Sequence, residues 1–393
     1  MNQTIRNIVF SLITTLLFFG LAELYLHQIQ YEGTSISDLV DTAGFPDNSY
    51  VHKRDRILGP WFLKTPNGYR SNPDLRSRGF HKETFLDSEK RIFAMGGSTT
   101  YGSPFEHEER GFPHRLQKKQ RGKLRIINAG VAGMDSSAFP MMSLQLQNIG
   151  AEKVIIYAGN NEIRGALLSM CTSEKSIFSK LHLYRWIQDT YRQYNGFHYT
   201  YDQLAEHQED CIEKSALQVV SQVQHIGGDY RQDELYIQLL SSFKQNLSTT
   251  IQNFAKSNIP VILVIPPINL YQKPDYTYTK STKIQTLEYE QNWKRILQLV
   301  PTHARANYEI GIQSKNIELL RRAAEYDYTS RRITPSLQKA LLEICQKYEN
   351  NVRCIDMRYI EEDDTQQFFV DFCHPTFDSG VDAIVNSILP HIE

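Results

Sequence analysis

The stretch RIFAMGGSTTYG, residues 91–102, decides the fold, because it joins a strand-like apolar run to a turn that carries a hydroxyl. Its first half is almost unbroken in apolar residues, which is typical of a strand covered on both faces of a sheet. Gly96 and Gly97 then permit a sharp turn and keep side chains away from Ser98. Taken alone, this turn suits either an exposed nucleophile or an ordinary strand end.

Four segments downstream repeat the pattern of a short apolar strand, with amphipathic helical stretches between them. The candidate strands are RIFAMGG (91–97), LRIINAGV (124–131), EKVIIYAGN (152–160), IPVILVIPP (259–267) and VRCIDM (352–357). Strands that alternate with helices predict right-handed βαβ units. We therefore expect a three-layer α/β/α sandwich with five parallel strands.

Two segments between the candidate strands are longer than a single crossover helix requires. The first, about residues 165–235, is predicted to be an insertion over the top of the sheet. The second, about residues 271–345, contains helical runs such as NIELLRRAAEYD (316–327) and ITPSLQKALLEICQKY (333–348). The sandwich is thus expected to carry helical insertions.

Several polar residues in or near the second insertion are expected to have structural roles. Asp327, Arg331 and Arg332 are expected to form a solvated, locally paired cluster, although this segment has the length to reach the site. Asn269 follows the fourth strand and is expected to shape a pocket rim without acting chemically.

Charge and composition exclude two classes of partner. The 393 residues include 43 Lys and Arg against 44 Asp and Glu, so there is no excess of positive charge for a nucleic acid. No basic run with interleaved aromatic residues occurs, and no Cys and His residues have the spacing of a zinc site. We therefore expect no nucleic-acid partner and no zinc site, and the acyl-transfer chemistry argued below requires no metal and no organic cofactor.

The N-terminal segment is more apolar than the rest of the chain. IVFSLITTLLFFGLAELYL, residues 8–26, contains one ionisable residue, Glu23, and spans about 28 Å as a helix. Arg6 precedes it and acidic residues follow it, which predicts a single-pass anchor with the body on the periplasmic or extracellular side. A cleaved signal peptide with a secreted body is the alternative, because Gly20-Leu21-Ala22 is a small-x-small cleavage site.

Cysteine usage agrees with export. Pairing of Cys171 with Cys211 and of Cys345 with Cys354 would close two local loops in an oxidising compartment and leave Cys373 unpaired. Five reduced, buried cysteines are the alternative.

Glycines and polar side chains follow the candidate strands at their carboxyl ends, where the sites of open α/β sheets gather. The first strand leads to Ser98, the second to NAGVAG with Gly133, and the third to AGNNE with Asn161. Near the C-terminus, DFCHP places Asp371 three residues before His374. We expect these residues to meet at one edge of the sheet.

These residue types predict an acyl-transfer site. Ser98 is the candidate nucleophile, His374 the base that removes its proton, and Asp371 the residue that holds the imidazole in the required tautomer. The backbone N–H groups of Ser98 and Gly133 and the side-chain amide of Asn161 are the candidate donors to a developing oxyanion.

The motifs GGST, NAGVAG, GNNE and DFCHP together resemble the four sequence blocks of the SGNH, or GDSL-type, hydrolases. The resemblance covers about residue 90 to the C-terminus and implies a flavodoxin-like sandwich and ester hydrolysis. It matches Ser98, Gly133, Asn161 and His374 to the four blocks, with Asp371 three residues before the histidine. The pair GGST and GNNE is similar to a membrane-anchored branch of the family.

Two positions depart from the family's pattern. Gly97 stands where an aspartate usually precedes the serine, and Glu162 stands where an aspartate usually follows the asparagine. Neither replaces a group that does chemistry, so both are expected to alter local support. Asn160 is the other candidate oxyanion donor, but the Gly-x-Asn pattern selects Asn161.

We therefore expect an exported serine esterase that cleaves an O-acyl ester of a glycan or lipid through an acyl-Ser98 intermediate. A membrane anchor or signal segment over 1–27 and a connecting segment over 28–88 precede the SGNH-type domain over 89–393. Two alternatives stay open: an O-acyltransferase that acts on exported polysaccharide, and a non-catalytic binding protein with the same fold.

Overall fold

The computed structural model describes eight ranges of the chain and a few single positions between two of them. The ranges are 3–28, 61–71, 82–103, 111–120, 124–172, 234–274, 281–360 and 368–392, and the single positions are 183, 187, 212, 214–216 and 231. The predicted insertion over about 165–235 therefore lies almost entirely outside the described residues.

The N-terminal segment forms one helix, α1 (Gln3–Gln28), of 26 residues. Near its end Leu26 is buried, and Glu23 Oε2 accepts a hydrogen bond of 2.7 Å from the backbone N–H of Leu183. Among the described residues, no helix combines the length and the apolar character that crossing a membrane requires. The membrane span predicted over residues 8–26 stays a prediction.

Part of the segment expected to connect anchor and domain forms a small antiparallel sheet. Its strands, in the order β1-β2-β3, are β1 (Phe62–Thr65), β2 (Gly68–Ser71) and β3 (Thr84–Leu86). Phe62 and Phe85 are buried, and their ring centroids lie 5.6 and 5.7 Å from that of Phe93 in the main sheet. This small sheet therefore packs against the central core.

All five strands of the predicted parallel sheet are confirmed. They are β4 (Arg91–Gly96), β5 (Arg125–Gly130), β6 (Lys153–Tyr157), β7 (Val261–Ile265) and β8 (Val352–Asp356). Every neighbouring pair is parallel, and the spatial order is β5-β4-β6-β7-β8. Counted within this sheet the order is 2-1-3-4-5, which is the flavodoxin-like order of a doubly wound fold.

Helices that the structure describes after β4 pack on both faces of the sheet. The helices described after β4 are α2 (Ser98–Tyr101), α3 (Phe112–Lys119), α4 (Phe139–Ile149), α5 (Glu162–Thr172), α6 (Glu234–Lys256), α7 (Thr282–Tyr289), α8 (Trp293–Leu299), α9 (Ala304–Ser314), α10 (Ile317–Glu325), α11 (Pro335–Lys347) and α12 (Ser379–Ile388). The helical runs predicted in the second insertion are confirmed as α10 and α11.

Successive side chains of each strand point alternately to the two faces of the sheet, and helices cover both faces, which gives three layers. In β4, Phe93 and Met95 belong to one buried cluster with side chains of α4, α6 and α11. Ile92 and Ala94 belong to a second cluster with side chains of α3 and α12. Successive strand residues point to opposite faces, so a strand covered by helices on both sides must be apolar throughout. This explains the unbroken apolar run that precedes Ser98.

One predicted disulfide is present. Cys345 in α11 and Cys354 in β8 are bonded, with their Cα atoms 6.0 Å apart. Cys373 is a free, buried thiol. The predicted pairing of Cys171 with Cys211 lies outside the residues whose side chains are described.

Candidate active site

Ser98 lies at the carboxyl end of β4, as the first residue of the short helix α2. A Cβ atom on the preceding residue, Gly97, would stand only 2.4 Å from Nδ2 of Asn161 and 3.0 Å from the carbonyl oxygen of Met134. A side chain at position 97 would therefore displace these groups. The glycine lets the loops after β4, β5 and β6 meet beside Ser98.

The Ser98 hydroxyl is in hydrogen-bond contact with the imidazole of His374. Ser98 Oγ and His374 Nε2 are 2.7 Å apart. His374 is buried, with 7% of its surface exposed, whereas Ser98 is half-buried and keeps access to solvent. The predicted nucleophile and base are thus brought together at one edge of the sheet.

Asp371 contacts the other nitrogen of the same imidazole. His374 Nδ1 and Asp371 Oδ2 are 2.6 Å apart, and Asp371 Oδ1 accepts the backbone N–H groups of Cys373 and His374 at 3.0 and 2.8 Å. Because a carboxylate only accepts, Nδ1 carries a proton and Nε2 is left to accept the Ser98 hydroxyl. Burial opposes ionisation of Asp371, but its hydrogen bonds with the His374 side chain and with the two backbone N–H groups lower its pKa below the usual value.

The three predicted oxyanion donors belong to residues that follow β4, β5 and β6 at this edge of the sheet. The Asn161 side chain donates through Nδ2 to the Met134 carbonyl at 3.1 Å, and the amide has a second N–H available. Gly133, next to Met134, has a φ of +77°, which favours glycine. The Ser98 N–H begins helix α2, where the first N–H groups have no acceptor within the helix.

Asn160, the other asparagine of the GNNE motif, bonds to the backbone of a distant segment. Asn160 is buried, and its Oδ1 accepts the backbone N–H of Ile333 at 3.0 Å. Its amide therefore holds a neighbouring segment, while Asn161 is left beside Ser98. This division agrees with the choice of Asn161 from the Gly-x-Asn pattern.

Glu162 supports the loop that carries Gly133. Its carboxylate accepts the Ser136 backbone N–H at 3.1 Å and the Ser136 hydroxyl at 2.8 Å. Burial, together with the negative charge of Asp135, raises the pKa of Glu162 from 4.5 to about 8. The bonds join the start of α5 to the loop after β5, which agrees with a supporting role for the residue at position 162.

Cys373 lies between the two functional residues of the DFCHP motif. Its thiol is 2% exposed, and burial, reinforced by the charge of Asp371, raises its pKa well above the usual value. Within the described ranges, Asp371, Cys373 and His374 are the one group of metal-ligand side chains whose atoms lie within 4.8 Å of one another. The burial of Cys373 favours the packing role over that of a nucleophile or metal ligand.

Two features of the site's surroundings differ from the sequence expectations. Arg332 and Asp327 are 2% and 3% exposed, so the expectation of a solvated cluster is wrong for both. Asn269 does more than shape a rim, because its Nδ2 donates to the Asp371 carbonyl oxygen at 2.5 Å. The contact of Asn269 has no local sequence signal, since its partner Asp371 is 102 positions away in the chain.

No family model matches this chain. No curated protein matches it either.

Three solved structures illustrate what the fold resembles. AlAXEase, an acetyl xylan esterase, has a TM-score of 0.36 and 13% identity over 77% of this chain and 100% of its own. The psychrotrophic esterase EstA from Pseudoalteromonas sp. has a TM-score of 0.36 and 11% identity over 77% and 97% of the two chains. A GDSL-like lipase from Bacteroides thetaiotaomicron has a TM-score of 0.34 and 12% identity over 80% and 93%. Resemblances this distant carry no activity or substrate over to this chain.

Proposed function

We propose that the protein is a serine ester hydrolase of the SGNH type, with Ser98 as the nucleophile. The observation that carries the proposal is the hydrogen-bonded series from Ser98 Oγ to His374 Nε2, and from His374 Nδ1 to Asp371 Oδ2. A serine hydroxyl is a weak nucleophile unless a base removes its proton, and this series supplies the base and the group that orients it.

The proposed reaction has two halves. Ser98 Oγ bonds to the ester carbonyl carbon while its proton passes to His374 Nε2, and the same proton then goes to the departing alcohol as the ester C–O bond breaks. A water molecule next gives a proton to His374 and attacks the acyl-serine. The acid is released, and Ser98 regains its proton. Asp371 stays ionised throughout and stabilises the imidazolium.

The oxyanion formed in each half is assigned to three donors: the N–H groups of Ser98 and Gly133 and the Nδ2 amide of Asn161. Donors that are fixed in place before the reaction stabilise the developing charge without reorganisation, at about 3 kcal/mol for each. The position of Asn161 Nδ2 beside Gly97, next to Ser98, supports the assignment of this amide.

The proposed substrate is an O-acyl ester of a glycan or lipid, reached from the exported side of a membrane. The support for export and for the membrane anchor comes from the N-terminal sequence, and the disulfide between Cys345 and Cys354 agrees with an oxidising compartment.

A panel of esters tests the proposal. Purified protein is offered acyl esters of increasing chain length and acetylated glycans, and the acid released is measured. Ser98→Ala is expected to reduce turnover at least about 10³-fold. Ser103→Ala, a half-buried serine five positions along, is the matched control and should stay within about threefold of the parent, as for a substitution outside the site. Equal turnover by the parent and Ser98→Ala would contradict the proposal.

A further inference from the structure

A buried segment of the second insertion contacts loops that carry residues of the candidate active site. Residues 327–334, which join α10 to α11, are mostly buried, and Arg332 is among the largest fully buried side chains of the described chain. Its guanidinium donates to the carbonyl oxygens of Asn269 and Gln272, the latter at 2.7 Å, and lies 3.6 Å from Asp327 Oδ2.

Burial of this charge is costly unless it is paired and hydrogen-bonded, so its partners indicate what it holds in place. Both carbonyl acceptors belong to the loop that follows β7. The same loop is held a second time, because the Tyr308 hydroxyl of α9 donates to the Tyr271 carbonyl at 2.9 Å. The loop after β7 is therefore held both by Arg332, between α10 and α11, and by Tyr308 of α9.

Asn269 connects this loop to the candidate base. Its side chain is 8% exposed, and Nδ2 donates to the backbone carbonyl of Asp371 at 2.5 Å, while Oδ1 accepts the backbone N–H of Tyr271 at 3.2 Å. A continuous series of contacts therefore runs from Arg332 through Asn269 to Asp371.

The segment also fixes the oxyanion side of the site. The backbone N–H of Ile333 donates to Asn160 Oδ1 at 3.0 Å, and the Ile333 side chain packs against Gly159. One buried segment thus contacts the loop before Asn161 directly and the loop of Asp371 through Asn269.

We propose that Asn269 is a positioning residue for the Asp371–His374 pair, and that Arg332 fixes Asn269 in turn. The inference rests on the proposed function of Ser98. The Nδ2 donor holds the backbone of Asp371, and so determines where the loop 371–374 places the imidazole relative to Ser98 Oγ. Displacement of a reacting group by about 1 Å can cost a hundredfold in rate.

Asn269→Ala and Asn269→Asp test the inference. Asn269→Ala removes the donor to Asp371, and kcat is expected to fall about 10- to 100-fold while KM changes less than about threefold, because substrate contacts are left intact. Asn269→Asp is isosteric and, measured at a pH at which the new side chain is a carboxylate, keeps an acceptor for Tyr271 but has no donor for the Asp371 carbonyl. It is therefore expected to show the same loss of kcat.

Asn307→Ala is the matched control. Asn307 is also a buried asparagine whose Nδ2 donates to backbone carbonyls, those of Pro301 and His303, both at 3.0 Å, but it lies in α9 and both acceptors lie just before that helix. We expect it to lower the free energy of unfolding by an amount similar to Asn269→Ala and to leave kcat within about twofold of the parent.

The rate at which a fluorophosphonate modifies Ser98 gives a readout that needs no substrate, and it should fall in parallel with kcat. Parent-like kcat and labelling in Asn269→Ala, or restoration of both in Asn269→Asp, would overturn the inference while leaving the proposed function intact. A folded parent protein that neither turns over an ester nor is labelled would instead contradict the proposed function, and this inference with it.

Discussion

His374 Nε2 lies 2.7 Å from Ser98 Oγ, although 276 positions separate the two residues in the chain. The contact exists because β4 leads directly into Ser98 at the carboxyl edge of the sheet, while His374 lies just before α12, which packs on one face of the same sheet. No local fragment of the chain contains both groups. The proposed activity therefore depends on the whole sandwich.

Asp371→Asn is expected to abolish most of the proposed turnover while leaving the fold intact. An amide in place of the carboxylate can donate to Nδ1, which places the imidazole proton on Nε2, where it can no longer accept the Ser98 hydroxyl. We expect kcat to fall about 10³- to 10⁴-fold. Steady-state kinetics measures the loss, and circular dichroism checks the fold.

Asp356→Asn is the matched control for Asp371→Asn. Like Asp371, Asp356 has a carboxylate that bonds to a side chain a few positions along the chain, here that of Arg358 at 2.7 Å. Asp356 lies in β8, however, and not in the loop that carries His374. We expect parent-like kcat for this variant. A loss in Asp356→Asn as large as that in Asp371→Asn would contradict a specific role for Asp371.

Gly97→Ala is expected to remove the contribution of Asn161. The new Cβ would overlap the Asn161 amide, and this side chain rotates away more easily than the backbone moves. We expect kcat to fall about 10²- to 10³-fold, the loss typical of one missing oxyanion donor, with a smaller relative effect on stability. In kinetic assays the double variant Gly97→Ala/Asn161→Ala should be only slightly slower than Asn161→Ala alone. Fully additive losses would show that Gly97 and Asn161 act independently.

Glu162 is expected to make stability depend on pH. Its pKa is raised from 4.5 to about 8 by burial and by Asp135, so the folded protein favours the protonated form more strongly than the unfolded chain does. The contribution of Glu162 is complete below about pH 4.5, falls as the pH rises to about 8 and is constant above it, a change on the order of a few kcal/mol.

Urea unfolding of the parent and of Glu162→Gln at pH 5 and pH 8.5 measures this dependence. Because glutamine does not titrate, the free energy of unfolding of the variant relative to the parent should rise between the two pH values. A difference between variant and parent that is the same at both pH values would contradict the raised pKa of Glu162.

The disulfide is expected to stabilise the packing of α11 on the edge strand β8 without affecting the candidate site. Cys345 and Cys354 are nine positions apart, and closing so short a loop stabilises a protein by about 2–3 kcal/mol. Replacement of both cysteines by serine should lower the free energy of unfolding by this amount in urea denaturation. Turnover should stay at the parent level. A large loss of kcat would contradict the expectation that the disulfide does not affect the site.

The strands and the motif residues could be predicted from the sequence because their signals are local. A strand buried on both faces reads as a continuous apolar run, as Ile92–Met95 does, and a polar residue directly after it must lie at the carboxyl edge. Ser98, Gly133 and Asn161 each follow such a run, and Asp371 lies three positions from His374.

The support around the site could not be predicted because its partners are distant backbone groups. From the sequence, Arg332 is expected at the surface, as a charged residue usually is. Its charge can be buried because its guanidinium donates to two carbonyl oxygens about 60 positions away in the chain. The amide of Asn269 meets a carbonyl 102 positions away. The strands β1 to β3, three or four residues long, are too short for periodicity to reveal them.

Covalent labelling of the folded protein with a fluorophosphonate, read by intact mass and by peptide mapping, tests the central claim most directly. We expect one adduct per chain, located on Ser98, no adduct in Ser98→Ala, and labelling at least about a hundredfold slower in His374→Ala, since the serine then lacks its base. A folded parent protein that takes up no label, or a Ser98→Ala variant that is labelled as fast as the parent, would contradict it.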